Sequence, residues 1–228
     1  MKAAPVDIRR VAAEAVGTFF LVLIGPGAAT VDAHTGGELG VGGIAIAFAF
    51  VVTAVVYSIG RVSGAHINPA VTLAFWSVRR FPAGAVLPYI LAQCSGAVAA
   101  GLVLRMIFGS AGGVGATLPR VPLVSAFVIE WILSFALMFV IMAVATTERV
   151  TFGSAALAVG LTVGFCAFVG GPLTGASMNP ARSVGPAVAS GLWHAHWIYW
   201  LAPITGMMVA ARVYPLCLPS DSCCCQSP

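Results

Sequence analysis

Charge is what this chain has least of. Its 11 basic and 7 acidic residues make up 8% of 228 positions, against about 25% in a soluble globular domain. So few charges cannot clothe a water-facing surface, and lipid is the expected solvent. The net charge of +4 comes from scattered residues rather than a patch, which argues against nucleic acid as a partner. No nucleophile–base pair, phosphate-cradling glycine loop or Cys-x-x-Cys metal site stands out. Neither an enzyme nor a cofactor or metal is therefore expected. The six cysteines do not read as a disulfide framework. Cys94, Cys166 and Cys217 lie in or beside apolar stretches, where a lone thiol packs as a small hydrophobe. Cys223, Cys224 and Cys225 form a run in a polar tail, open to palmitoylation, metal binding or no modification. Lys2, Arg9 and Arg10 flank an apolar stretch at the N-terminus. It holds Glu14 and ends at no small-residue cleavage site, so it is read as a helix rather than a signal peptide.

What is present is apolar: 60% of positions, with 26 Gly and 14 Pro, both tolerated in membrane helices. A spanning helix needs about 20 mostly apolar residues. Six such stretches are predicted, at about 11–31, 40–60, 85–108, 122–145, 152–171 and 196–215. Six spans put both ends on one side. With the N-terminus inside, Lys2, Arg9, Arg10, Arg61, Arg79, Arg80, Arg149 and Arg212 fall inside, and Arg105 and Arg120 outside. That bias predicts both termini cytoplasmic, and the cell membrane is the expected location.

Two apolar segments, 68–78 and 179–190, are only about half long enough to cross. Each begins at a repeated unit: S-G-A-H-I-N-P-A-V-T from Ser63, and T-G-A-S-M-N-P-A-R-S from Thr174, 111 positions later. Glu14 with Thr18 in span one is matched by Glu130 with Ser134 in span four. Each half then runs helix, helix, half-helix, helix. Three spans per half is odd, so the halves enter from opposite faces, an inverted repeat with its site near the midplane. The prediction is an all-α membrane protein of six transmembrane helices and two re-entrant half-helices. It forms a single channel domain over 1–215, with repeats at about 8–110 and 122–215, before a disordered cytoplasmic tail at 216–228.

The repeated unit is a helix start. Asn is a strong N-cap, Pro is favoured at the first helical position, and Ala is the best helix former. Asn68-Pro69-Ala70 and Asn179-Pro180-Ala181 would then begin half-helices at depth. Non-helical backbone there, expected at 61–67 and 172–178, must be packed in protein or line a wet cavity. Each helix N-terminus carries roughly half a positive charge, so two facing ends repel cations. Two Asn amides donating to one water oxygen also interrupt a proton wire. Arg182 stands only in the second copy. It reads either as snorkelling to the surface or, preferably, as a fixed charge and donor fork one turn outside the midplane.

Glu14 and Glu130 read either as proton carriers of a coupled transporter or, preferably, as carboxylates accepting N–H groups from the re-entrant loops. His66 lines the inner vestibule or bonds to nearby backbone, with no preference between the two. His194 and His196, beside Trp193 and Trp197, fit an interfacial aromatic belt, with a pH gate as the lesser reading. His34 is placed in an exposed loop.

These motifs, with A-E-A-V-G-T in span one and W-I-Y-W near the end, make the chain resemble the aquaporins, or major intrinsic proteins, over about 8–215. The resemblance implies a homotetramer with one pore per subunit, passing water and small neutral solutes. It implies a selectivity filter at Phe48, Ala167, Ala176 and Arg182, and an inner-vestibule place for His66. The backbone signatures, with Ser183, Ala187, Tyr199 and Trp200, resemble water channels of the family. Ala167, where strict water channels usually carry His, and Ala176 imply a wider opening. Broader solutes such as glycerol, urea, ammonia, hydrogen peroxide or metalloid acids remain open, and a coupled secondary transporter is the rival class.

Overall fold

The computed structural model describes residues 7–145 and 150–217. Lys2, Arg149 and the Cys223–Cys225 run lie outside the described residues. Among the described residues, eight α-helices follow in order: α1 (Ile8–Thr35), α2 (Gly40–Ser63), α3 (Pro69–Ser77), α4 (Ala83–Phe108), α5 (Leu123–Ala145), α6 (Phe152–Thr174), α7 (Pro180–Ser190) and α8 (Ile198–Val213). α1, α2, α4, α5 and α6 each have at least 23 residues and are long and apolar enough to cross a membrane. α8 has 16 residues, about 24 Å at 1.5 Å per residue, and continues as a 3₁₀ turn over Tyr214–Cys217. α3 and α7, of 9 and 11 residues, are the half-helices.

Several boundaries differ from the expected ones. α1 runs on to Thr35 and takes in His34, so that residue is helical rather than in a loop. Its ring lies against Phe108, with centroids 5.5 Å apart. α2 and α6 extend to Ser63 and Thr174, which shortens the two re-entrant loops to 64–67 and 175–178. The cause is Gly64 and Gly175, whose left-handed φ of 91° and 86° ends each helix with a backbone cap on Gly60 and Gly171.

The two halves pack alike. α1 lies on α2 and α4, as α5 lies on α6 and α8. The half-helices are exchanged, α3 resting on α8 and α7 on α4, and α2 and α6 pair between the halves. Glycine sets the closest approaches. A Cβ at Gly206 of α8 would stand 2.6 Å from Trp131 O, and one at Gly96 of α4 would overlap Ala15 O. Each carbonyl belongs to the residue after a buried acid, so each glycine lets the fourth helix settle where that acid reaches the re-entrant loop.

Burial is inverted relative to a soluble protein. Phe50, Leu87, Leu91, Ile132 and Phe165 are exposed on the outside of the bundle. Glu14, Glu130, Gln93, Asn68, Asn179 and Arg182 are buried within it. Lipid has no hydrogen bonds to offer, so polar groups are kept inside, where they find one another.

Candidate functional site

Asn68 and Asn179 cap the half-helices with their side-chain oxygens. Asn68 Oδ1 accepts from Ala70 N at 2.9 Å, and Asn179 Oδ1 from Ala181 N at 3.0 Å and Arg182 N at 3.2 Å. Each amide nitrogen then reaches the other half. Asn68 Nδ2 donates to Met178 O and Asn179 Nδ2 to Ile67 O, both at 2.8 Å. One N–H of each amide is therefore engaged across the repeat, and a second is left to each. The two amides thus form a reciprocal clasp, each with a donor to spare.

The loops between cap and helix carry backbone strain. Ala65 and Ile67 have φ of 47° and 44°, and Ala176 and Met178 of 43° and 51°. Such left-handed residues cost about 1–3 kcal/mol each and persist only where surroundings hold them. Here the surroundings do. Glu14 accepts from Ile67 N at 2.6 Å, His66 N at 2.9 Å, Ser63 Oγ at 2.7 Å and Gln93 Nε2 at 2.8 Å. Glu130 accepts from Met178 N and Ser177 N, both at 2.9 Å, and Thr174 Oγ1 at 2.6 Å. Ile67 and Met178 are thus bonded at both N–H and C=O, the first by an acid of its own half and the second by an amide of the other.

Arg182 lies in the first turn of α7, buried. Its Nη1 donates to Gly115 O at 2.8 Å and Nη2 to Gly175 O at 3.4 Å, and its Cζ stands 5.3 Å from the centre of the Phe48 ring. Gly115 closes a turn whose residues Gly112, Gly113 and Val114 are all left-handed. A side chain that snorkelled to the surface would not be held by these carbonyls.

Three cavities share walls in series. A narrow one of about 50 Å³ is lined by Asn68, Asn179, His66, Ser177, Ala176 and the apolar Leu21, Val52, Leu137 and Val163. Phe48 and Arg182 also line it, and they line a second cavity of about 270 Å³ that includes Ala167, Asp32 and Arg120. Val56, Ala65, Val71, Ile141 and Val159 divide it from a third, of about 390 Å³, that reaches Phe75, Val150 and Phe152. Wide, narrow, wide is the profile of a pore, and about 50 Å³ exceeds the ~10–15 Å³ that a single water needs.

Sequence reading singled out neither Tyr89, Gln93 and Thr72 nor Gly115. Tyr89 Oη donates to Ser63 O at 2.9 Å and Tyr199 Oη to Thr174 O at 2.8 Å, anchoring the last residue of α2 and of α6. A signal was present: the two tyrosines stand 21 and 20 positions past Asn68 and Asn179. Gly115 carried none, because its part in the site is a backbone carbonyl.

His194 and His196 lie away from the cavities, in the 191–197 segment before α8. His196 packs against Trp193 and Tyr199, with centroids 4.7 and 6.2 Å away, and its Nε2 is buried without a partner. Burial pushes its pKa below the usual imidazole value. The unfolded chain then binds the extra proton more readily, so stability from this ring is present above pH ~6.5 and lost as pH falls below it. The Tm of the detergent-solubilised protein is expected to drop between pH 7 and 5, less so in His196→Phe.

Comparison with known proteins places this geometry. The Major intrinsic protein family profile matches residues 2–214. Nodulin-26 of Glycine max is 43% identical over 215 residues, covering 94% of this chain and 79% of that protein. Aquaporin NIP1-1 of Zea mays is 45% identical over 210 residues, covering 92% and 74%. The X-ray structure of the aquaglyceroporin from Plasmodium falciparum superposes with a TM-score of 0.82 at 26% identity, covering 91% of this chain and 95% of that one. With five helices long and apolar enough to span, two exchanged half-helices and a narrow passage at their tips, the chain belongs to the major intrinsic protein family, the aquaporin family of passive membrane channels for water and small solutes.

Proposed function

We propose that the passage between Asn68 and Asn179 is the conduction path, and that Phe48, Ala167, Ala176 and Arg182 form its filter. The observation that carries this reading is the reciprocal clasp. It holds two helix N-termini at one constriction and leaves each amide a free N–H. A water taking both donors on its oxygen has no lone pair left for a neighbouring water, so protons find no continuous wire. Two helix ends and the fixed Arg182 charge oppose cations. Glu14 and Glu130, spent on loop N–H groups, are scaffolding rather than proton carriers.

The filter side chains favour a path wider than water alone. Ala167 and Ala176 leave room opposite Phe48, and the solved relative is named an aquaglyceroporin. Small uncharged solutes such as urea, ammonia or glycerol accompany water in this reading. The basic residues put both termini in the cytoplasm and the Arg182 mouth outside, in the cell membrane. Four copies assemble, each with its own pore, as one domain of two repeats.

Stopped-flow light scattering on proteoliposomes tests the reading. Fast, non-saturating osmotic shrinkage with weak temperature dependence is expected. A saturable flux that collapses with the proton gradient would replace it with coupled transport. In Ala167→His, urea and glycerol flux is expected to fall by roughly tenfold or more, the scale set when a site loses room for a few heavy atoms, while water flux persists. Equal losses of solute and water flux would remove Ala167 from the filter.

A further inference from the structure

Phe48 is the one aromatic ring among the four filter positions, and Gly25 of α1 stands behind it. A Cβ at Gly25 would overlap the ring at Cε1 and stand 2.7 Å from Cδ1 and 2.8 Å from Cζ. With any side chain at position 25, either the helix or the ring would have to move. α1 has little slack. At its next residue, Pro26, the 3₁₀ turn presses so close that a Cβ on Gly115 would stand 2.8 Å from Pro26 Cα. Further along, a Cβ on Gly96 of α4 would overlap Ala15 O. Main chain packs on main chain at both levels. The ring is therefore the part that yields. The open volume it borders is the passage, since Phe48 lines both the narrow cavity and the wider one on the Arg182 side. Gly25 itself is buried and lines none of the three cavities.

The repeat divides the same volume in another way. Gly25 lies eleven residues past Glu14, as Ile141 lies eleven past Glu130. Phe48 lies twenty residues before Asn68, as Val159 lies twenty before Asn179. One half thus pairs glycine with phenylalanine, and the other pairs isoleucine with valine. Ile141 and Val159 both line the narrow cavity, where it meets the third one. Where the first helix of a half supplies bulk, the second keeps its wall residue small. Where the first supplies none, the second carries a ring.

We infer that Gly25 is a positioning residue for the filter: having no side chain, it seats the Phe48 ring against α1 and so keeps the opening beside Arg182 wide enough for solutes larger than water. This rests on the conduction path and filter given above. It assigns their width to a residue that the solute does not touch.

Proteoliposome flux tests it through the ratio of urea to water permeability, which does not depend on how much channel is folded. In Gly25→Ala the ratio is expected to fall roughly tenfold, the lower end of what one methyl group is worth in a fitted site. Alanine is the better helix former by about 1 kcal/mol, so the exchange does not weaken α1 itself. In a Phe48→Ala background no ring is left to displace, and adding Gly25→Ala should leave the ratio where Phe48→Ala put it. That non-additivity separates displacement of the ring from a general loosening of the helix. A wild-type ratio in Gly25→Ala would overturn the inference, and so would equal falls in both backgrounds. Should Gly25→Ala not fold, the double variant is expected to fold, because the obstacle is gone. Failure of both would put the collision elsewhere and overturn it as well. A Phe48→Ala channel with the wild-type ratio, or a wild type that passes water but no urea, would strike the filter reading itself and the inference with it.

Discussion

Replacing Arg182 by valine is expected to admit cations and larger neutral solutes to the channel. The guanidinium is a fixed charge, tied to Gly115 O and Gly175 O and set beside the Phe48 ring. A monovalent cation passing at ~6 Å meets a repulsion of about 3 kcal/mol at an effective dielectric constant of ~20. Removing it should raise cation entry roughly a hundredfold. Valine also vacates the volume between the narrow cavity and the wider one on that side, so glycerol-sized solutes should gain as well. The two freed carbonyls face a wet path and can take water, which spares the fold. Conductance in planar bilayers and solute-driven swelling of proteoliposomes read the two effects. Unchanged selectivity would take Arg182 out of the filter.

Glu130→Ala is expected to abolish the folded channel rather than to retune it. The carboxylate serves three donors, Thr174 Oγ1, Ser177 N and Met178 N. Each buried donor left unmet costs about 1–3 kcal/mol. Met178 sits at a left-handed φ of 51°, and without Glu130 its strained peptide keeps only the Asn68 amide. Total stabilities are of order 5–15 kcal/mol, so the loop should collapse and take the Asn68–Met178 clasp with it. Glu130→Gln, which keeps one acceptor oxygen, should retain part of the fold. Size-exclusion profiles and thermal melting in detergent measure this directly. A well-folded Glu130→Ala protein with altered proton leak would instead make the acid a carrier.

Much of the fold was legible because membranes leave few options. Long apolar stretches give spans, and half-length ones opening on Asn-Pro-Ala give re-entrant helices. Those helices began at Pro69 and Pro180 because capping acts within one turn. The loop lengths were less legible. Gly64 and Gly175 read as loop formers, whereas they terminate helices that run on through Ser63 and Thr174.

The sequence by itself determined what depends on neighbours in the chain: the spans, the helix starts, the doubled motif and the unmatched arginine. Only the tertiary structure decided where the amides point, which carbonyls hold Arg182, and that Tyr89, Gln93 and Thr72 belong to the site. Those contacts join residues as far as 112 positions apart, as Asn179 to Ile67. No local periodicity encodes such a pairing, because it arises when two separately specified halves close on each other and bury polar groups that lipid cannot satisfy.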